Sequence, residues 1–252
     1  KGFILIMQGE YEQAEGIFNN MLKKYGQTSL ILSGLGHIYN ARKDFNQARE
    51  YFEKAIQLGK NRKGSDITTA LLGLAWVNAN EHKNEKAIKR YWEVLKEEPL
   101  NVLALLGMGN AYNWLGKYDE AEKYFNKVLA IDKNNEYAIA ELGTVYLNRG
   151  DERNAQRLLV DALKINNTTY SCPYEGLGLL YLKNGKFKDA EDNFKKAIEI
   201  NPDVEYRKYN GLAEIYIKQG KYQEARKLLN KSVANYPDNA KARELLKQIE
   251  TE

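Results

Sequence analysis

Six short phrases of this chain echo one another: LGHIY from Leu35, LAWVN from Leu74, MGNAY from Met108, LGTVY from Leu142, LGLLY from Leu177 and LAEIY from Leu212. The small residue in second place falls at Gly36, Ala75, Gly109, Gly143, Gly178 and Ala213, in steps of 39, 34, 34, 35 and 35 residues. A fixed period of that size means stacked supersecondary units rather than one closed core. Each unit then contacts mainly its neighbours, and the apolar interior is a strip.

The unit itself reads as two helices. Counting from Val102, Leu105, Met108, Gly109 and Tyr112 fall at positions four, seven, eight and eleven, the apolar stripe of an amphipathic helix. The small eighth residue lets a neighbouring helix come close. Gly116 marks the turn. Asp119 and Glu120 then put negative charge where a second helix begins, and Ala121, Phe125 and Val128 form its apolar face. The other second helices carry the same triplet, among them Ala48, Phe52 and Ala55, Ala87, Tyr91 and Val94, and Ala190, Phe194 and Ala197. Pro99, Pro202 and Pro237 close units, as expected where a helix must stop. No useful stretch alternates with period two, so no strands are expected.

The pattern of leucine and a small residue, then tyrosine, an alanine nine residues later, an aromatic, a second alanine and a closing proline resembles the tetratricopeptide repeat. Six copies in register make the resemblance specific, and it covers nearly the whole chain. It implies an all-α, right-handed superhelix of helix pairs whose first helices line a concave peptide-binding groove. In that register the chain is a single solenoid: a truncated unit at 1–28, full units at 29–67, 68–101, 102–135, 136–170, 171–205 and 206–239, and a capping helix at 240–252. Lys247 stands where the small packing residue would be, which suits a solvent-facing cap. The step from Gly36 to Ala75 holds about five residues beyond the usual period of the class, near Leu58–Asp66. Lys60, Arg62 and Lys63 make that stretch basic; a solvated connection is the expectation, and a contact for an acidic partner the alternative.

The resemblance also implies which residues face the groove: positions two, five, nine, twelve and thirteen of each first helix. The central ones are apolar or aromatic where a solvated surface would be polar. Leu72, Trp76, Leu106, Trp114 and Tyr137 are expected to form one patch, joined by Leu147; such patches mark interaction sites. Asn80, Asn110, Asn113 and Asn148 recur beside it, with Thr144 in the same row. An asparagine amide both donates to and accepts from a peptide main chain, so the expected ligand is an extended or helical peptide. The leucines have an equal alternative, packing between helices; the tryptophans, a residue type enriched at binding hot spots, are expected in the groove. Mid-helix glycines at position six (Gly34, Gly73, Gly107, Gly176 and Gly211) each cost about 1 kcal/mol relative to alanine, offset either by close helix packing or by room in the groove. Position five reads Ser33, Leu72, Leu106, Ala140, Glu175 and Asn210, with no lysine, which argues against the carboxylate clamp that some members of the family use on acidic chaperone tails.

Catalysis is not expected. His37 and His82 are not spaced for metal binding with each other or with cysteine, and Cys172, just before Pro173, has no nearby histidine to complete a nucleophile. No phosphate-cradling or dinucleotide motif occurs. No cofactor or metal is expected. The net charge of +4 is small against 38 basic and 34 acidic side chains, and the lysines interleave with acids, as in KYDEAEKYFNK from Lys117. That pattern makes solvated helix faces and no nucleic-acid stripe. One cysteine allows no internal disulfide, which fits a reducing, cytoplasmic setting, and no apolar run is long enough for a membrane span. The expected function is a protein-interaction scaffold. The alternatives are the substrate-recruiting part of a larger enzyme, given that the chain opens without Met inside a unit, and a self-assembling protein that docks through the truncated first unit at Phe3–Ile6.

Overall fold

The computed structural model describes residues 1–60, 65–166, 169–202, 206–237 and 239–250, with the backbone alone for residues 65, 66 and 235. Every element among the described residues is a helix. They fall into two compact units. The first, Lys1–Ile131, holds α1 (Gly2–Met7), α2 (Tyr11–Tyr25), α3 (Ser29–Ala41), α4 (Phe45–Gly59), α5 (Ser65–Asn80), α6 (Asn84–Glu97), α7 (Val102–Trp114) and α8 (Tyr118–Ile131). The second, Asp132–Glu252, holds α9 (Glu136–Arg149), α10 (Glu152–Ile165), α11 (Cys172–Lys183), α12 (Phe187–Ile200), α13 (Arg207–Lys218), α14 (Tyr222–Asn235) and α15 (Ala240–Glu250). The chain is an all-α repeat of helix pairs, of the solenoid class.

Local chemistry sets the helix boundaries. Thr28, Asp44, Asn101, Asn135 and Asp151 each accept a hydrogen bond from the backbone N–H three residues on, at 3.0–3.2 Å, which satisfies a donor the helix leaves open. At the turn inside a pair the chain adopts a left-handed backbone. Glycine serves there at Gly116 and Gly150, but Lys43 (φ 62°) and His82 (φ 57°) occupy the same place in two pairs. Arg62 and Lys63 of the basic insertion lie outside the described residues. The flanking helices take up part of the extra length: α4 runs on to Gly59, and α5 has 16 residues against 13 in α3 and α7.

The core is a ladder of side chains from second helices, each clasped by first helices. Phe52 of α4 is fully buried. A Cβ built on Gly36 of its own pair would come 2.7 Å from its ring, and one on Gly73 of the following pair closer still. Real side-chain atoms do not approach that closely, so the sixth-position glycine exists for close packing and not for space in a groove. Tyr91 rests on Gly107 in the same way. Tyr39 stacks on Tyr51 and Tyr112 on Tyr124, with ring centroids 5.3 and 5.6 Å apart. The pair between them has Asn78 and Arg90 at the matching positions, and there Arg49 of α4 donates to Asn78 at 3.0 Å and pairs with Glu81.

Within the first unit α1, α3, α5 and α7 each touch the next, and within the second so do α9, α11, α13 and α15. The second helices touch first helices and, among the described residues, not one another. The first helices are therefore the closely spaced layer of each unit, the side on which successive pairs converge.

Candidate functional site

In the first unit the ninth position of the repeat register places His37 on α3, Trp76 on α5 and Asn110 on α7, the closely spaced helices. His37 is largely enclosed. Its ring lies 5.0 Å from Phe52, 6.0 Å from Phe3 and 6.3 Å from Trp76, edge to face in each case. Burial disfavours the imidazolium and pulls the His37 pKa down to about 4; a hydrogen bond with the Thr69 backbone opposes part of that fall. Trp76 keeps 40% of its surface open and Trp114 48%. The left-handed turn residue His82 sets its ring 5.6 Å from that of Trp114. Leu106, Asn110 and Asn113 are half-buried and Asn80 is exposed. The Oδ1 atoms of Asn40 and Asn110 and the Oγ of Ser33 are buried without a hydrogen-bond partner.

Leu72 departs from its expected place. It is 8% exposed and packs with Tyr91, Val94 and Met108, because it is enclosed between its own second helix α6 and the following first helix α7. Thr144 also departs. It is 4% exposed, donates to the Ala140 carbonyl at 3.3 Å and meets Cys172 Sγ at 3.4 Å.

In the second unit Tyr137 is 41% exposed, with its ring 4.4 Å from Tyr170. The Tyr170 hydroxyl donates to the carboxylate of Glu141, the residue that replaces glycine at the sixth position of α9. Burial raises the Tyr170 pKa well above the usual tyrosine value, so this hydroxyl remains a donor. Asn148 is exposed. Position five is taken up internally: Glu175, buried, forms an ion pair with Arg207, whose Nε lies 2.8 Å from its carboxylate, and Asn210 joins Ser232 and Asn239 in a buried amide–hydroxyl triad. Beyond these, an open depression of about 490 Å³ is lined by Leu179, Leu182, Phe187, Lys183, Glu214 and Lys218.

Sequence reasoning did not find the ring box around His37, the contact of His82 with Trp114, or the Asn210 triad, since each joins residues whose spacing carries no motif. The depression had a signal: Lys183 and Lys218 repeat at the thirteenth position, 35 residues apart. No group of three or more His, Cys, Asp or Glu side chains among the described residues could hold a metal. Among them, too, no helix is long and apolar enough to cross a membrane. The arrangement offers half-open aromatic faces and amide side chains.

Two tetratricopeptide repeat models match residues 31–61 and 181–249, and a model described as the tetratricopeptide repeat protein 21 C-terminal ARM domain matches residues 61–208. The chain is 26% identical over 147 residues to the BBSome complex member BBS4 of Bos taurus, covering 58% of this chain and 27% of that protein. It is 26% identical over 130 residues to the protein O-mannosyl-transferase Tmtc3 of Drosophila melanogaster, covering 51% of this chain and 14% of that protein. The chain thus spans under a third of either relative. The crystal structure of the APC/C hetero-tetramer Cut9-Hcn1 superposes with a TM-score of 0.79 at 22% identity, over 97% of this chain and 47% of that one; that likeness concerns the fold.

Proposed function

Because the chain belongs to the tetratricopeptide repeat family, we propose that it is a protein-interaction scaffold whose first-helix layer holds a peptide segment of a partner. Trp76 and Trp114 are the anchors, Asn110 and Asn113 grip the main chain, and Leu106 adds apolar contact. In the second unit Tyr137 and Asn148 play the same parts, while Leu72 and Thr144 support the surface from beneath.

The observation that carries this reading is the exposure of Trp76 and Trp114, two large indoles that keep 40% and 48% of their surface open on successive first helices. Asn110 lies on the same helix as Trp114 and at the repeat position that matches Trp76 in the preceding pair. Half-open indoles supply contact area of the kind found at hot spots.

The test is affinity capture from an extract of the source cells, compared by quantitative mass spectrometry between the native chain and a Trp76→Ala/Trp114→Ala variant. A set of proteins lost from the variant supports the reading; identical profiles from two equally folded baits exclude it. In a Trp92→Phe background, which removes the other exposed indole, a captured partner should shift tryptophan emission to the blue. The Tmtc3 likeness favours a second reading, in which the chain recruits substrate for an enzymatic domain of the same polypeptide. The full reading frame decides between them. A self-associating role, with Ile4 and Met7 as its exposed apolar residues, predicts a mass that rises with concentration in light scattering.

A further inference from the structure

The depression in the second unit has a chemistry that the scaffold reading does not use. Leu179, Leu182 and Phe187 form its apolar floor, and Lys183, Glu214 and Lys218 stand around it. Lys183 is engaged, its Nζ 2.7 Å from Glu152. Lys218 is not: its Nζ lies 5.7 Å from the centroid of the Phe187 ring, and no ion pair of Lys218 occurs among the described residues. Nor does one of Glu214, one turn earlier on the same helix. Lys186 over Tyr181 and Lys221 over Tyr216 add positive charge at the same two turns, while the nearby Glu191 is already held by Lys195 at 2.6 Å.

A free ammonium parked over an aromatic ring beside an open apolar floor is a half-built site. It needs an anion for the charge and an apolar side chain for the floor, held close together. We propose that this depression binds a partner segment in which a large apolar side chain adjoins an acidic residue. The apolar side chain covers Leu179, Leu182 and Phe187, and the carboxylate pairs with Lys218. Glu214 repels a second acid on its own side of the floor, so the segment enters in one direction. The site lies in a different unit from Trp76 and Trp114 and is independent of them.

Three fluorescein-labelled heptapeptides test this on the full chain: one with a Phe-Asp-Asp core, one with Phe-Lys-Lys and one with Ala-Asp-Asp, each flanked by Ser and Gly. Fluorescence anisotropy should show binding of the Phe-Asp-Asp peptide alone at concentrations up to about 1 mM, a threshold of weak but specific association. Lys218→Glu, an exposed substitution that leaves the core intact, should weaken it by about tenfold or more and turn preference toward Phe-Lys-Lys. A reversed preference cannot come from unfolding. Trp76→Ala/Trp114→Ala should leave the affinity unchanged, which separates this site from the scaffold face. No binding at about 1 mM, equal binding of the charge-reversed peptide, or indifference to Lys218→Glu would overturn the proposal.

Discussion

The ring of Phe52 lies directly against the backbone of Gly73, with no room between them for even a methyl group. The contact joins a second helix to the first helix of the following pair, so it is the joint through which one repeat stacks on the next. Gly73→Ala tests its weight. Helix propensity alone would reward the change by about 1 kcal/mol, but the Cβ must displace a fully buried ring, at about 1–3 kcal/mol. The variant should lose up to about 2 kcal/mol in urea unfolding. Gly16→Ala, on the open face of α2 where an added Cβ meets nothing within 4 Å, should instead gain up to about 1 kcal/mol. Equal signs for the two would remove the packing argument.

Lys43 and His82 both hold a left-handed backbone that favours glycine. Lys43→Gly should raise stability by about 0.5–1 kcal/mol. His82→Gly relieves the same strain but forfeits the ring contact with Trp114, worth about 0.5–1.5 kcal/mol. Its gain should therefore be smaller or reversed, with an altered Trp114 emission spectrum. If both variants gained equally, the His82–Trp114 contact would carry no energy.

His37 links stability to pH. Its pKa is about 4 in the folded protein and near 6.5 when unfolded. The unfolded chain therefore takes up the proton first as pH falls. The stability His37 confers is complete above pH 6.5 and is lost progressively down to about pH 4. With allowance for the ring's residual exposure the loss is about 2 kcal/mol. His37→Phe should flatten the difference between unfolding free energies at pH 7 and pH 5, while the slope below pH 4 persists through the carboxylates.

Asn210, Ser232 and Asn239 satisfy one another at 2.7–3.2 Å inside the second unit, and Asn239 Oδ1 also accepts from the backbone N–H of Ala242 at the start of α15. Asn210→Ala strands two buried partners and should cost about 2–3 kcal/mol. Hydrogen exchange should show α15 opening first. Uniform protection along α15 would mean that its apolar seam, Ala242, Leu245 and Ile249, holds it alone.

Much of the protein was legible in its residues. The period, the helix pairs, the turn at Gly116 and the acidic start of α8 at Asp119 and Glu120 all follow from chemistry within a few positions of each residue. Trp76 and Trp114 keep 40% and 48% of their surface open. What the register could not separate was Leu72 from Leu106, two residues at the same fifth position. One is core and the other half-open, because Leu72 is enclosed by Tyr91, Val94 and Met108 of α6 and α7.

The amino-acid sequence by itself determined which segments are helical, in what order they pair and which face of each is apolar, since periodicity and capping are local properties of the chain. Only the tertiary structure decided which polar and apolar side chains on the inner layer remain available. The burial of Thr144 and Asn210, the enclosure of His37 and the freedom of Lys218 depend on distances between helices. Those distances come from packing whole side chains of one repeat against the backbone of the next, and no short stretch of residues contains them.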